Sequence, residues 1–115
     1  MTSIEDVRCE AVVPAVMASQ DGMITYVNDR FETVFGWTRQ EIVGQPLTAI
    51  IPSTLHDAHH LGFSRFLTSG VPTLLDRPLI LNAVTKDGRI FPAEHQIIAE
   101  RQRGQWVFGA TIRPL

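Results

Sequence analysis

The sequence predicts an α+β domain in which a strand hairpin, two short helices and one longer helix precede a three-stranded antiparallel meander. Three observations carry this prediction. Turn chemistry at Asp21-Gly22, Lys86-Asp87-Gly88 and Arg103-Gly104 separates runs rich in strand-favouring residues. Capping and stop residues punctuate the stretch between the first two strands and residue 46. Apolar spacing is helical over residues 53–69 and changes to period two from residue 79 onward. A chain of 115 residues with 44% hydrophobic content is the size of one domain around one core.

Ser3 is placed to cap a short flanking helix whose first turn carries Glu5 and Asp6, acids suited to the positive end of the helix dipole. This flank spans residues 1–13, and the core runs over 14–113. Residues 15–18 and 23–27 form the hairpin strands about Asp21-Gly22. Asn28 or Asp29 caps a helix with Phe31, Val34 and Phe35 on one side, and Gly36 ends it. Thr38 and Glu41 make a capping-box pattern for a second short helix closed by Gly44-Gln45-Pro46. The longer helix starts at Ser53 or Thr54 and stops at Gly70, with Pro72 beyond. Leu55, His59, Phe63 and Phe66 recur along one stripe of it, so His59 belongs to the buried face, while Asp57 and Ser64 point elsewhere. Three strands follow, over residues 79–84, 90–100 and 106–113.

Composition excludes several classes of function. A net charge of -2 with 19% charged residues leaves no basic stripe for nucleic-acid phosphates. Cys9 is the only cysteine, which rules out an internal disulfide framework and fits a reducing compartment. The acidic N-terminus is unlike a signal peptide and no apolar run reaches membrane-spanning length, so a soluble, cytoplasmic module is expected. His56 and His60 are four residues apart beside Asp57, a zinc-compatible spacing, but a third and fourth ligand are lacking. These positions read as a solvated helix face, and no metal site is assigned. Asp76, Glu94 and Glu100 are scattered and form no catalytic constellation, so no enzyme is expected.

Asp21-Gly22-Met23-Ile24 followed by Asn28 resembles the D-G-x-I-x-x-x-N hairpin of PAS domains. Phe35-Gly36-Trp37 with Glu41-Ile42-Val43-Gly44 resembles their F-G-[YW]-x-x-x-E-[LI]-[IVL]-G segment, and Lys86-Asp87-Gly88 with Phe91-Pro92 their K-D-G-x-x-[FW]-P strand opening. The resemblance implies a five-stranded antiparallel sheet that curls against the helices and encloses a cavity. It also implies a sheet face that packs on a flanking helix or a second subunit. Strand alternation supplies the candidate lining: Leu79, Leu81 and Ala83, then Phe91, Ala93, His95, Ile97 and Ala99, then Trp106, Phe108, Ala110 and Ile112, with Leu74 at the edge. The candidate ligand-binding set is His59, Phe63, Phe66, Leu74, Leu79, Leu81, Ala93, His95, Ile97, Phe108 and Ala110.

The run from His59 to Phe66 aligns without gaps to the helix in which the rhizobial oxygen-sensor kinases carry their haem-ligating histidine, and His59 takes that position. Leu79 stands where those sensors have an arginine that contacts bound oxygen, Gly62 replaces an aromatic of their helix, and His95 alters the distal side. Flavin-cysteinyl photochemistry is excluded because no cysteine lies between Asn28 and Ser69. The expected function is therefore a sensory input module that binds a small, mostly apolar molecule, with His59 and His95 as polar handles. Its alternatives are a ligand-free dimerisation module and, second, a haem-based gas or redox sensor through His59. A homodimer is expected, with an output domain outside this chain: a histidine kinase, a cyclic-dinucleotide enzyme or a DNA-binding regulator.

Overall fold

The structure is a computed structural model that describes residues 3–69 and 78–115. Helix α1 (Ile4–Arg8) precedes strands β1 (Ala15–Ala18) and β2 (Ile24–Val27), helices α2 (Asp29–Phe35), α3 (Arg39–Ile42) and α4 (His56–Ser69), and strands β3 (Leu79–Val84), β4 (Ile90–Gln102) and β5 (Gln105–Pro114). The strands form one antiparallel sheet in the order β2-β1-β5-β4-β3. The two long strands β4 and β5 extend past the predicted ends to a tight Arg103-Gly104 turn, with both residues at positive φ.

The capping predictions hold at the level of single bonds. Ser3 accepts from the Asp6 amide at 3.2 Å, Asn28 from the Phe31 amide at 2.9 Å, and Thr38 with Glu41 closes a reciprocal capping box. Gly36 takes the left-handed conformation at the end of α2, as a stop there requires. Between α3 and α4 lie two 3-10 turns, Leu47–Ile50 and Ser53–Leu55, which the sequence reading had as a connection and as the first turn of the long helix. The α-helix proper begins at His56. That ring accounts for the junction: its Nε2 lies 2.7 Å from the Ile51 carbonyl and 3.1 Å from that of Thr48, tying the helix start to the preceding turn. His56 is thus half-buried and committed to the main chain, a correction to its reading as part of a solvated face.

The two faces of the sheet have separate packing. The inner face, α2 and α3 bury Val16, Ile24, Val27, Phe31, Phe35, Ile42, Ile50, Ala83, Ala93 and Ile112 in one core. On the outer face, α1 lays Ile4 and Val7 over Ala15 and Met17, with Tyr26, Ile98 and Val107 beside them. Gly109 makes this close approach possible, because a Cβ there would stand 3.0 Å from Ile4 Cδ1 and 3.2 Å from Val7 Cγ2. Glu100 on β4 completes the dock by accepting the Ile4 amide at 3.1 Å, which satisfies a donor of the first helical turn. Ile98, on the outward side of β4, lies under α1.

Candidate ligand site beneath the long helix

Helix α4 exposes most of its surface, and its half-buried positions after His56 are His59, Phe63 and Phe66. With Leu55 just before the helix, these are the residues of the predicted stripe. The stripe meets β5 through aromatic rings. Phe63 lies 5.0 Å from Phe108, Phe66 lies 5.2 Å from Phe108 and 4.8 Å from Trp106, and the Phe66 pairs are edge-to-face. Phe63 also covers the hairpin turn, where its ring would be 3.7 Å from a Cβ at Gly22. His59 follows one turn back, its ring 5.8 Å from Phe63 and 5.6 Å from His60.

Sheet register sets the remaining candidates on one face. Leu79 pairs with His95, Leu81 with Ala93, Ile97 with Ala110 and Ala99 with Phe108. Ala93 is fully buried, Leu79, His95, Ile97 and Ala110 are half-buried, and Leu81 remains 41% exposed although its strand neighbour belongs to the core. Leu74 lies outside the described residues. Ala99 and Ile112, predicted as lining, share the inner face by the same register, as do Val16 and Ala18, which the strand alternation had not supplied. Trp37 packs against the core with the Lys86 ammonium 5.4 Å above its ring. Its Nε1–H is nevertheless buried without a hydrogen-bond partner among the described residues, which marks it as a donor available inside the fold. The aromatic position in the F-G-W motif was visible in the sequence; the unpaired donor was not.

The two candidate histidines differ in how they are held. His95 Nδ1 is 3.1 Å from the Ala93 carbonyl. Burial pushes its pKa below the ordinary value, against hydrogen bonds to the Ala93 and Leu79 main chain. His59 is also pushed down, first by burial and then by the neighbouring His60 and His56, and its ring makes no hydrogen bond among the described residues. Both imidazoles are therefore neutral donors or acceptors at neutral pH. A depressed folded-state pKa means the unfolded chain takes up protons first as pH falls. The stabilisation is complete above the ordinary value of 6.5 and is lost as pH drops through the lower folded values. Urea midpoints are accordingly expected to fall between about pH 7 and pH 5. Replacing both histidines by asparagine should flatten that slope, and a midpoint independent of pH in this window would contradict the assignment. Glu41 is held down to about 2 by its Lys86 and Thr38 hydrogen bonds, so its own contribution is lost only below that window.

No group of three or more potential metal ligands occurs among the described residues. No helix there is long and apolar enough to cross a membrane.

An antiparallel sheet with a helical crossover packed on its inner face and a flanking helix on its outer face defines the α+β class of this module. The chain belongs to the PAS domain family, whose model matches residues 12–113. It is 34% identical over 111 residues to a protein of Azorhizobium caulinodans, covering 96% of this chain and 15% of that protein. It is 30% identical over 105 residues to Sensor protein FixL of Bradyrhizobium diazoefficiens, covering 90% of this chain and 21% of that one. The chain thus spans a small part of the length of these relatives. Among solved structures it is similar to a PAS domain from Desulfitobacterium hafniense, with TM-score 0.74, 16% identity and coverage of 91% and 94% of the two chains. It is also similar to a PAS domain of a two-component sensor histidine kinase, with TM-score 0.72, 16% identity and coverage of 96% and 91%. The fold, the family and the relation to sensor-kinase PAS domains agree with the sequence reading.

Proposed function

We propose that this PAS domain is the sensory input of a longer signalling protein, and that it holds a small, mostly apolar molecule between α4 and the inner sheet face. The observation that carries this reading is His59. It is half-buried on the stripe that faces the sheet, favours the neutral form, and has no hydrogen-bond partner among the described residues. His95, on the inner face of β4, supplies a second polar group in a surface otherwise formed by Leu79, Ala93, Ile97 and Ala110. A few polar handles in an apolar lining is the usual composition of a small-molecule site. The reading assigns no covalent chemistry to the chain. A bound ligand would bias the packing of sheet and flanking helix, and through them an attached output domain that forms part of the same polypeptide. The short span of the relatives that this chain covers supports such an attachment.

The test is native mass spectrometry of the protein extracted gently from its own host. A non-covalent mass increment is expected on the wild type, reduced or absent in His59→Ala. Bare polypeptide mass in both would sink the ligand reading. It would leave a ligand-free interaction module, for which the exposed outer-face residues Ile80 and Ile90 offer a dimer surface.

The uncommitted imidazole of His59 also favours haem as a second reading, because a neutral histidine on an apolar helix face suits an iron ligand. Haem would supply an iron that binds a diatomic gas. His59 would hold it, and the paired inner-face residues Leu79 and His95 would offer the pocket an imidazole but no arginine donor. A Soret band after haem reconstitution that disappears in His59→Ala is the expected result on this reading, and colourless wild-type protein would exclude it.

A further inference from the structure

A second cleft lies where the N-terminal flank joins the core. It encloses about 320 Å³ and is lined by Arg8, Cys9 and Glu10 at the end of α1, by Tyr26 and by Arg30 and Arg39. Three arginines from three different helices therefore line one small opening, together with the acids Glu10 and Asp29. Gathering like charges carries a cost that a folded protein avoids unless something offsets it.

The acids of the cleft offset only part of it. Glu10 commits one carboxylate oxygen, Oε2, to main-chain amides, accepting from Val12 at 2.8 Å and Val13 at 3.2 Å. Asp29 is bridged to Arg39 at 3.0 Å, and Arg39 also donates through Nε to the Val27 carbonyl at 3.1 Å. Tyr26 donates its hydroxyl to the Arg8 carbonyl at 3.0 Å, and the Asn28 amide is committed to the Glu10 and Val13 carbonyls. Arg8 makes a 3.4 Å contact with Glu5 between two well-exposed side chains and a 4.0 Å contact from Nη2 to Met17 Sδ. Arg30 has no ion-pair or hydrogen-bond partner among the described residues. The cleft thus holds three arginines against the two carboxylates of Glu10 and Asp29, and the Arg30 guanidinium is left unpaired among the described residues.

We propose that this cleft is a second binding site, for a small organic anion bearing two or more carboxylates. Its volume lies at the small end of the range for small-molecule sites, which fits a metabolite rather than a polymer. Planar guanidinium groups bind carboxylates through paired N–H donors; Arg30 has such a pair free, and Arg8 is held only by long contacts that a carboxylate would displace. Because Arg8 sits on α1 while Arg30 and Arg39 belong to the core, one bound anion would span both. Binding would fasten the flanking helix to the domain independently of anything held beneath α4.

The experiment is a titration of the ¹⁵N-labelled protein with sodium citrate, followed by NMR, against sodium chloride and sodium phosphate at matched ionic strength. Saturable shifts are expected for amides of residues 8–11 and 26–30 with citrate. Arg30→Gln should weaken the citrate affinity at least about 5-fold, while Arg30→Lys recovers part of it. Arg30 is exposed, so unchanged spectra elsewhere verify that the variants remain folded. Shifts that chloride reproduces, shifts that do not saturate, a stronger response to phosphate than to citrate, or an affinity indifferent to Arg30→Gln would each overturn the proposal.

Discussion

Phe35→Ala is expected to lower the unfolding free energy by about 3–5 kcal/mol, read as a fall in the urea midpoint at unchanged slope. Phe35 is fully buried at the end of α2, stacked on Phe31 at 4.3 Å and tilted against Phe91 of β4 at 5.4 Å. Its own carbonyl accepts the Lys86 amide at 2.8 Å, so the side chain and main chain of one residue join the short helices to the β3–β4 turn. Truncation leaves a cavity among groups that are anchored on three sides and cannot collapse into it. A small domain has about 5–15 kcal/mol in total, so the variant would be near the edge of folding. Phe35→Leu, which keeps most of the volume, should recover more than half of the loss. A loss under about 1 kcal/mol for the alanine variant would show that the site relaxes freely.

Asn28→Ala should cost a comparable amount, about 3–5 kcal/mol, for a different reason. The buried amide of Asn28 uses every group it has toward the main chain. Its Oδ1 accepts from Ala15 at 3.0 Å and Phe31 at 2.9 Å, and its Nδ2 donates to Glu10 at 3.0 Å and Val13 at 2.9 Å. Alanine would leave two buried donors and two carbonyls without partners and remove a helix cap. The informative control is Asn28→Asp. Aspartate caps helices as well as asparagine does, yet it would set a carboxylate oxygen against the Glu10 and Val13 carbonyls. Aspartate is therefore expected to destabilise the domain and to loosen α1, seen as faster amide exchange in residues 4–10. If aspartate were neutral, the donor half of the network would hold nothing.

These two residues show where the sequence was readable. The cap of Asn28 on Phe31 spans three residues and follows from local backbone chemistry, as do the Thr38–Glu41 box and the Gly36 stop. The other three bonds of Asn28 reach back 13 to 18 residues, and no local pattern encodes them. The same division runs through the candidate site. Helical spacing placed His59, Phe63 and Phe66 on one stripe, and strand alternation placed Ala93, His95 and Ile97 on one face. The partner of that stripe, the Phe108 and Trp106 end of β5, is set by how the helix crosses the sheet.

The sequence by itself determined the order of the elements, the caps of α1, α2 and α3 and the in-or-out sense of each strand, because turns, caps and periodicity act over a few residues. It also carried the family, since the D-G, F-G-W and K-D-G motifs are such local devices. Tertiary structure alone decided the strand order β2-β1-β5-β4-β3, the seating of α1 against Gly109, the anchoring of the His56 ring and the gathering of three arginines at one cleft. Each of these depends on which distant segments meet when one apolar face is buried, and that choice is made by the packing of the whole chain rather than by any stretch of it.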